Sequence, residues 1–358
     1  MKNALRLLRI PLYLVFMYGL YVATVLIYAT ITDWQPRARV SLNPVTLAEE
    51  FVRKNMKKKV PQKIKILTWN LGFGALGEET SFFYDGGDVV IQEEDICKKN
   101  VKGIKDFLKS NSDLDFILLQ EVDSCSRRNH RIDMRQEIAA ILKNHIGYYA
   151  INYNVDFIPS PQYNPLGETR SGLLSLGKYE PFKTEKIAFD TEFDWPTQMF
   201  FLDRCFTVQN YPLENGKELV VMNTHCSAYD LKGEFVTAEI KKMTDRGEEE
   251  YSKGNYVIMG GDWNQLPPNY KAKRLNTETE YNEINLTNEQ IPEGWKWVAD
   301  PTIPTNRKLD VPYTKGSSYT TVIDHFMISP NVKVLKVNVV DLQFQFSDHQ
   351  PVILEVEL

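Results

Sequence analysis

The sequence predicts an α/β protein in which β-sheets pack on each other, helices flank them, and a membrane-spanning helix precedes the folded part. Three observations lead to this prediction. Strand patterns outnumber helical patterns, many strands follow one another with no helix between them, and an uncharged run of 23 residues lies near the N-terminus. Strands that adjoin without helices favour a layered sandwich over a doubly wound parallel sheet.

The chain is long and apolar enough to build a substantial core. It has 358 residues, of which 43% are hydrophobic and 12% aromatic, which allows one large or two ordinary domains and excludes a disordered chain. The four cysteines form no CxxC pair and have no spacing suited to a zinc site. We therefore interpret them as free thiols: Cys97, Cys125, Cys205 and Cys226.

Charge is distributed unevenly along the chain. Residues 1–63 contain 11 Lys and Arg against 3 acidic residues, a balance of +8, whereas residues 64–358 contain 31 against 44, a balance of −13. Proteins that bind nucleic acid usually carry a basic surface, because phosphate contacts supply much of the affinity. The acidic balance of the larger part therefore disfavours nucleic acid as its main partner.

The uncharged run from Ile10 to Thr32 predicts a transmembrane helix. As a helix rising ~1.5 Å per residue it would be ~35 Å long, enough to cross the apolar part of a bilayer. A cleaved signal peptide is the alternative, but its apolar region is usually only ~7 to 15 residues, and no convincing small-x-small cleavage site follows this run. An uncleaved anchor is favoured.

Flanking charges predict the orientation of this anchor. Lys2, Arg6 and Arg9 precede the apolar run, whereas Arg37 and Arg39 follow it. The positive-inside rule favours a cytoplasmic N-terminus, although the difference is small. The expected location is therefore a single-pass membrane protein with its folded part outside the cytoplasm.

Three regions follow from these patterns. Residues 1–33 form the N-terminal tip and anchor, residues 34–62 a basic juxtamembrane linker, and residues 63–358 one folded domain. The basic stretch 53–63 is interpreted as a solvated linker in preference to a patch that lies on anionic lipid.

After Pro61 the chain predicts ten strands and three helices. Short runs of β-branched and aromatic residues between turn residues indicate strands, and apolar residues at helical spacing indicate helices. The strands are expected at 64–71, 115–122, 148–155, 172–176, 205–211, 219–225, 256–262, 319–329, 332–341 and 351–357, and the helices at 94–110, 132–145 and 235–252.

Polar side chains gather where the predicted strands end. Each fragment alone is weak evidence for a functional site, since Asn and Asp after a strand commonly form turns. Together they combine hard oxygen ligands, an Asp and an Asn two residues apart, and two histidines. The fragments are Trp69-Asn70, Gln120-Glu121, Asn223-Thr224-His225, Asp262-Trp263-Asn264, Ile323-Asp324-His325 and Ser347-Asp348-His349.

This combination predicts a phosphoester-hydrolysing site. Asn70, Glu121 and Asp348 supply the oxygen ligands that Mg²⁺ prefers, which it supplements with water and substrate phosphate. Phosphoester hydrolysis also needs donors around the phosphate oxygens, which histidine and asparagine side chains can provide.

The order and spelling of the fragments resemble the endonuclease/exonuclease/phosphatase superfamily. The matching stretches are WN, LLQEV, RSGLLSLGK, VVMNTH, GGDWN, VIDHFMIS and SDHQPV, and the resemblance covers roughly residues 63–358. This Mg²⁺-dependent fold is shared by deoxyribonucleases, apurinic endonucleases, neutral sphingomyelinases and inositol polyphosphate 5-phosphatases. The resemblance implies a four-layered α/β sandwich of two packed, largely antiparallel sheets with helices outside and the site at one mouth.

The resemblance also implies a metal site. Glu121, supported by Asn70, would hold the main Mg²⁺, with Mn²⁺ as the alternative, and Asp348 would assist a metal. One departure concerns a second metal: Leu71-Gly72 follows Asn70, where apurinic endonucleases place an Asp two residues after the Asn. This difference weakens the expectation of a repair-type second site.

Catalytic roles are implied in the same way. Asp262 would orient or deprotonate the attacking water, and Asn264 would bind and polarise the phosphate. His225 would donate to a non-bridging oxygen, while His349 would face the phosphate and be held in orientation by Asp324.

Arg170, just before SGLLSLGK, would contact the phosphate through its guanidinium.

Several other polar or aromatic residues have simpler structural interpretations. Asp203-Arg204 is interpreted as an ion pair, and the aromatic stretches 82–84 and 193–201 as core or as loops near the site. The remaining histidines are interpreted as structural or as carrying no partner signal: His130, His145 and His325.

Three functions are considered. A membrane-anchored phosphodiesterase or phosphatase, monomeric and acting on a small or lipid phosphoester, is favoured, with an extracytoplasmic nuclease or a sphingomyelinase-like lipid phosphodiesterase as alternatives. A catalytically inactive binding module is disfavoured because every expected catalytic side chain is present. The inositol 5-phosphatase subgroup is disfavoured by the stretches GDWNQLP and TTVIDHF, which differ from its usual motifs.

Overall fold

The computed structural model describes residues 2–45, 59–190, 193–228, 232–270 and 284–358, with side chains from Ile10 onward. Four α-helices lie in these ranges: α1 Lys2–Thr32, α2 Glu94–Ser110, α3 Met134–Ile141 and α4 Glu234–Tyr251. Local sequence explains their bounds. The side chain of Asp133 caps α3 by accepting a hydrogen bond from the Gln136 backbone N–H, and acidic residues occupy the first turn of α2.

The described residues contain fifteen strands in two main sheets and one short pair. In chain order they are β1 Arg39–Ser41, β2 Lys63–Asn70, β3 Phe116–Asp123, β4 Ile146–Ile158, β5 Gly167–Gly177, β6 Lys183–Ala188, β7 Cys205–Pro212, β8 Glu218–His225, β9 Tyr256–Asp262, β10 Lys296–Val298, β11 Asn306–Arg307, β12 Thr320–Thr321, β13 Asp324–Ile328, β14 Lys333–Val339 and β15 Val352–Glu357.

Strand order defines a mixed but largely antiparallel architecture. One sheet has seven strands in the order β1-β6-β7-β8-β9-β13-β10, and the other has six in the order β14-β15-β2-β3-β5-β4. Only β2 with β3 and β8 with β9 pair in parallel among the described strands.

Four layers bury three apolar interfaces. Between the sheets, Ile66 and Phe116 of the six-stranded sheet share a cluster with Ile258 and Phe326 of the seven-stranded sheet. On the outer face of the seven-stranded sheet, α4 contributes Val236, Ile240 and Met243 to another cluster. On the outer face of the six-stranded sheet, α2 and α3 contribute a third set: Val101, Ile104, Leu108, Met134 and Ile138. The predicted four-layered α/β sandwich is confirmed.

Several element bounds differ from the expectation. The strand expected at 319–329 divides into β12 and β13, and the helix expected at 132–145 is confined to α3. Strand β6 was not predicted, because its sequence KTEKIA carries three charged side chains; it lies between β1 and β7 rather than deep in the core.

Part of the region expected to be a linker, residues 34–62, pairs with strands of the sandwich. Arg39–Ser41 pairs antiparallel with β6, and a bidentate ion pair between Arg39 and Glu185 supports the pairing. Val60 bridges Leu213 and joins the core between the sheets. The basic residues at 53–58 lie outside the described residues.

Helix α1 contains the apolar run Ile10–Thr32, which is long and apolar enough to cross a membrane by length and composition. Its first part is solvent-facing, with Leu12, Tyr13 and Phe16 all more than half exposed. Its second part contacts the sandwich, because the Tyr28 hydroxyl donates to Asp156 and Thr30 lies against Met199.

Candidate active site

Strand direction brings the polar residues to one edge of the sandwich. The parallel pair β2 and β3 places Asn70 beside Gln120, and the parallel pair β8 and β9 places His225 beside Asp262. Strand β13 runs antiparallel to β9, so its first residue, Asp324, also pairs with Asp262. Five of the predicted strand ends therefore meet at one mouth between the sheets.

Close strand packing at this edge requires a glycine. A Cβ built on Gly261 would lie only 2.0 Å from the carbonyl oxygen of Thr224 on the neighbouring strand. Glycine before Asp262 thus lets β9 approach β8 and sets the aspartate directly beside His225.

Glu121 reaches the mouth through an irregularity in β3. The register with β5 shifts between Leu119 and Val122, and Glu121 has a positive φ of 51°. This bulge leaves the Glu121 side chain 24% exposed in an otherwise buried strand. Asn264 has a similar left-handed φ of 52° just after β9. Such conformations are strained for residues other than glycine.

Two histidines face the mouth in different electrostatic settings. Nδ1 of His349 lies 2.8 Å from Oδ2 of Asp324, and Nε2 lies 2.9 Å from the amide of Asn306. Burial alone would lower the pKa of His349, but the neighbouring carboxylates Asp324, Asp262 and Asp348 hold it well above its usual value. These carboxylates favour the imidazolium form, for which the Asn306 side chain accepts from Nε2 through its amide oxygen.

His225 behaves in the opposite way. Burial lowers its pKa well below the usual value, with the positive charges of Arg204 and His349 acting in the same direction. The imidazole is therefore neutral, and its Nε2 lies 3.6 Å from Oδ2 of Asp262 and 4.0 Å from Oε1 of Glu121.

Asp262 lies at the centre of this group. Its Oδ1 accepts a hydrogen bond from the Asn264 backbone N–H, and its Oδ2 accepts one of 2.9 Å from the Asn70 amide. The same Oδ2 is 3.7 Å from Nε2 of His349. Burial raises the pKa of Asp262 to about 6, so the carboxylate is ionised at neutral pH yet basic enough to accept a proton.

The donor set fits a divalent cation. Asp262, Asp324 and His349 each offer one ligand atom, all within 4.8 Å of one another, but Oδ2 of Asp324 is already hydrogen-bonded to His349. Glu121, Asp348 and the Asn70 amide lie beside this group. Burial raises the pKa of Asp348 to about 7 and also raises that of Glu121. Buried carboxylates with raised pKa values are the groups that a bound cation would stabilise as anions.

Asn264 is fixed by its own hydrogen bond. Its Nδ2 donates to the carbonyl oxygen of Cys226 at 2.8 Å, while the residue lines the cleft. This hydrogen bond gives the Asn264 side chain a defined orientation rather than a freely rotating amide.

The arginines that line the cleft are not the one expected from the sequence, Arg170. The structure does not place Arg170 on the cleft wall: its guanidinium pairs with Asp156 and donates to the carbonyl oxygen of Val155. Arg128 and Arg204 line the cleft instead. Arg128 is held by two hydrogen bonds to Asp123, of 2.8 and 3.0 Å.

The remaining sequence candidates have local roles. His325 is buried against Trp263, with ring centroids 5.5 Å apart, and burial lowers its pKa to about 3. His145 and His130 bind the backbone carbonyls of Leu114 and Gln92. Aromatic residues of both predicted stretches line the cleft, among them Phe82, Tyr84, Phe193, Phe200 and Phe201.

The sequence pattern did not identify three cleft residues, Arg128, Asn306 and Arg204, the last of which was interpreted as part of an ion pair. Asn306 contacts His349 from strand β11, a two-residue strand without any apolar pattern. Arg128 follows β3 in a short 3₁₀ turn, where an arginine carries no signal of a site. An isolated β-bridge joins Asn306 to His349, and no local sequence pattern indicates this contact.

Comparison with known structures establishes the class of fold. An endonuclease/exonuclease/phosphatase from Beutenbergia cavernae is 14% identical, with 83% of this chain and 72% of that chain covered and a TM-score of 0.56. A family protein from Leptotrichia buccalis is 15% identical over 82% and 100% of the two chains, with a TM-score of 0.54. The sandwich is therefore the endonuclease/exonuclease/phosphatase fold.

A third similar structure is D. rerio TDP2 complexed with a single-strand DNA product. It is 12% identical, with 83% of this chain and 100% of that chain covered and a TM-score of 0.51. Comparison of the sequence with protein-family models and with curated proteins gives no match.

Proposed function

We propose that this protein is a membrane-anchored, Mg²⁺-dependent phosphoester hydrolase. The observation that carries the proposal is the convergence of a neutral imidazole, an imidazolium and a basic carboxylate on one point. Nε2 of His225 and Nε2 of His349 lie 3.6 and 3.7 Å from the same oxygen of Asp262. Such a group can orient water and stabilise the oxygens of a phosphate undergoing in-line displacement.

Glu121 and Asp348 would hold the cation, and Asn70 would support them through hydrogen bonds from its amide nitrogen to Glu121 and Asp262. When bound, the cation would neutralise charge on the phosphate and on the leaving oxygen. Mg²⁺ is favoured over softer metals because the two carboxylates offer only oxygen atoms, and Mn²⁺ would satisfy the same ligands.

Asp262 would orient the attacking water and accept its proton. The water oxygen forms a bond to phosphorus and the P–O bond to one ester arm breaks; the leaving oxygen takes a proton from solvent water, and Asp262 releases the proton it accepted back to solvent. The raised pKa of Asp262, about 6, suits a general base near neutral pH.

His349 would donate to a non-bridging phosphate oxygen as a cation, with Asp324 holding it in place. His225 and Asn264 would complete the polar surface around the phosphate. Arg204, which also lines the cleft, offers a guanidinium to the substrate, a role that the position of Arg170 does not favour.

The nuclease alternative is less well supported. Residues 64–358 carry a balance of −13, and the four basic side chains that line the cleft are matched by four acidic ones, so the cleft is not a basic groove. Similarity to D. rerio TDP2 at 12% identity concerns the fold and does not decide between substrates.

A substrate panel tests the proposal. The full-length chain in detergent is assayed with Mg²⁺ against bis-p-nitrophenyl phosphate, plasmid DNA, sphingomyelin and phosphoinositides. Hydrolysis of at least one substrate, abolished by EDTA and by Asp262→Asn, would support the proposed chemistry. Absence of hydrolysis on the whole panel with Mg²⁺ or Mn²⁺ would refute it.

A further inference from the structure

The cleft that contains the polar group is much larger than a phosphate requires. Its volume is about 880 Å³, at the upper end of the range for pockets that hold drug-sized ligands. The polar residues occupy one end. The remaining wall is mainly aromatic and aliphatic, and includes Phe73, Phe82, Ile158, Leu166, Phe200 and Leu202.

The apolar wall continues onto the anchor helix. A second cavity of about 250 Å³ lies between α1, which contributes Tyr21, Val25 and Leu26, and the loop after β4. Pro159, Ser160 and Phe200 line both cavities. The wall of the hydrolytic cleft and the surface of α1 are therefore continuous.

Direct contacts hold α1 at the mouth of the cleft. The Gln162 amide donates to the Tyr18 hydroxyl at 2.7 Å, and the Trp195 indole donates to the Thr30 hydroxyl at 3.3 Å. Tyr18 and Thr30 are twelve residues apart, or ~18 Å along a helix. Helix α1 therefore lies along the mouth of the cleft over the second half of its apolar run.

Exposed aromatic residues surround this mouth. Tyr163 is 76% exposed, Trp195 58%, and Tyr84 and Phe201 37% each. Tyrosine and tryptophan rings concentrate where proteins meet the lipid headgroups, because one end of the side chain is apolar and the other binds water. Three such residues and Phe201, beside an uncharged helix of 23 residues, form a surface suited to the bilayer interface.

We propose that the substrate is a membrane phospholipid, which enters the cleft from the bilayer along α1. Its phosphate would lie at Asp262 and His349, and its apolar portion against the wall near Ile158 and Phe200. This inference rests on the proposed hydrolase function and specifies its substrate class. A small soluble phosphoester would leave the aliphatic part of this wall, at Ile158, Leu166 and Leu202, without a partner.

The first test compares substrates and matched variants of the full-length chain. The substrates are vesicles of phosphatidylcholine, phosphatidylglycerol and sphingomyelin in equal parts, and the water-soluble bis-p-nitrophenyl phosphate. We expect Phe200→Asp to lower the ratio of lipid to soluble-substrate turnover by at least ~10-fold, because a charge replaces the apolar wall. Phe182→Asp, which changes an aromatic residue that is 59% exposed and does not line the cleft, should leave that ratio unchanged.

The outcomes separate the inference from the proposed function. Turnover of bis-p-nitrophenyl phosphate without cleavage of any vesicle lipid would overturn the lipid substrate and leave the hydrolase function standing. Equal ratios for the two Phe variants would also overturn it. Absence of turnover on both substrates, with Mg²⁺ or Mn²⁺, would overturn both proposals.

A second measurement does not depend on activity or on the folding of a core variant. The wild-type chain and Trp195→Phe are reconstituted in vesicles that contain phosphatidylcholine with brominated acyl chains, which quench nearby tryptophan fluorescence. We expect Trp195→Phe to lose a substantial part of the quenchable emission. An unchanged quenchable fraction would place the mouth away from lipid and contradict the inference.

Discussion

Nδ1 of His349 lies 2.8 Å from Oδ2 of Asp324, and this pairing fixes both the orientation and the charge of the imidazole. We therefore expect His349→Gln to lower kcat by at least ~10²-fold, the scale of losing one preorganised donor. Asp324→Asn should also lower kcat, because the neutral amide no longer stabilises the imidazolium. Both effects are measured with bis-p-nitrophenyl phosphate, with thermal unfolding monitored in parallel.

His325 supplies the matched control for these variants. It follows Asp324 directly but stacks on Trp263, and its low pKa keeps it neutral. His325→Phe preserves the stacked ring and should leave kcat within a few-fold of wild type. An essential His325 together with a dispensable His349 would contradict the site assignment.

The second prediction concerns the cation. Activity should vanish with EDTA and return with Mg²⁺, because the proposed ligands offer only oxygen atoms. Glu121→Gln should raise the Mg²⁺ concentration needed for half-maximal activity by at least ~10-fold, through loss of one anionic ligand. Full activity after exhaustive chelation would exclude this role for Glu121.

A third prediction compares two arginines. Arg204 lines the cleft, whereas Arg170 does not line it and lies beside Asp156. We expect Arg204→Met to raise KM or lower kcat/KM by ~10-fold or more, and Arg170→Met to change either by only a few-fold. Steady-state kinetics on one soluble phosphodiester measures both. The reverse ranking would restore the expectation from sequence that Arg170 contacts the phosphate.

Some site residues were predictable from the sequence and others were not. The polar strand ends were recognisable because a buried strand that stops at Asn70 or Asp262 has no structural need for such residues. Their convergence depended on strand pairing, which the sequence pattern did not define. Asn306 was not identifiable, because it reaches His349 through an isolated bridge between segments 43 residues apart. The surroundings of Arg170 could not be anticipated, because its neighbours in space, Asp156 and Val155, belong to another strand.

The fourth prediction concerns stability at acid pH. Burial lowers the pKa of His145 from 6.5 to about 4, so the unfolded chain binds this proton before the folded chain does. The contribution to stability is present above pH ~6.5 and is lost as the pH falls towards ~4. Relative to His145→Gln, the wild type should lose about 2 kcal/mol between pH 7 and 5, measured by denaturant unfolding. A difference independent of pH would contradict a neutral, buried His145.

The fifth prediction concerns orientation in the membrane. Lys2, Arg6 and Arg9 precede the apolar run, and we expect the protein in the membrane fraction with its sandwich outside the cytoplasm. Protease added to intact cells, or to spheroplasts if an outer membrane is present, should digest the sandwich. Digestion only after lysis would reverse the orientation.

Glu121 and Asn264 both have a left-handed backbone conformation, which is unfavourable for folding in residues other than glycine. Glycine would adopt φ values of 51° and 52° without strain, so the residues present at these two positions cost backbone energy that glycine would not. At Asn264 the hydrogen bond from its Nδ2 to the Cys226 carbonyl oxygen offsets part of this cost, whereas the exposed part of Glu121 faces the cleft. Selection for thermal stability alone would therefore not favour the Glu121 side chain, and its presence marks a position where chemistry has outweighed folding in the choice of residue.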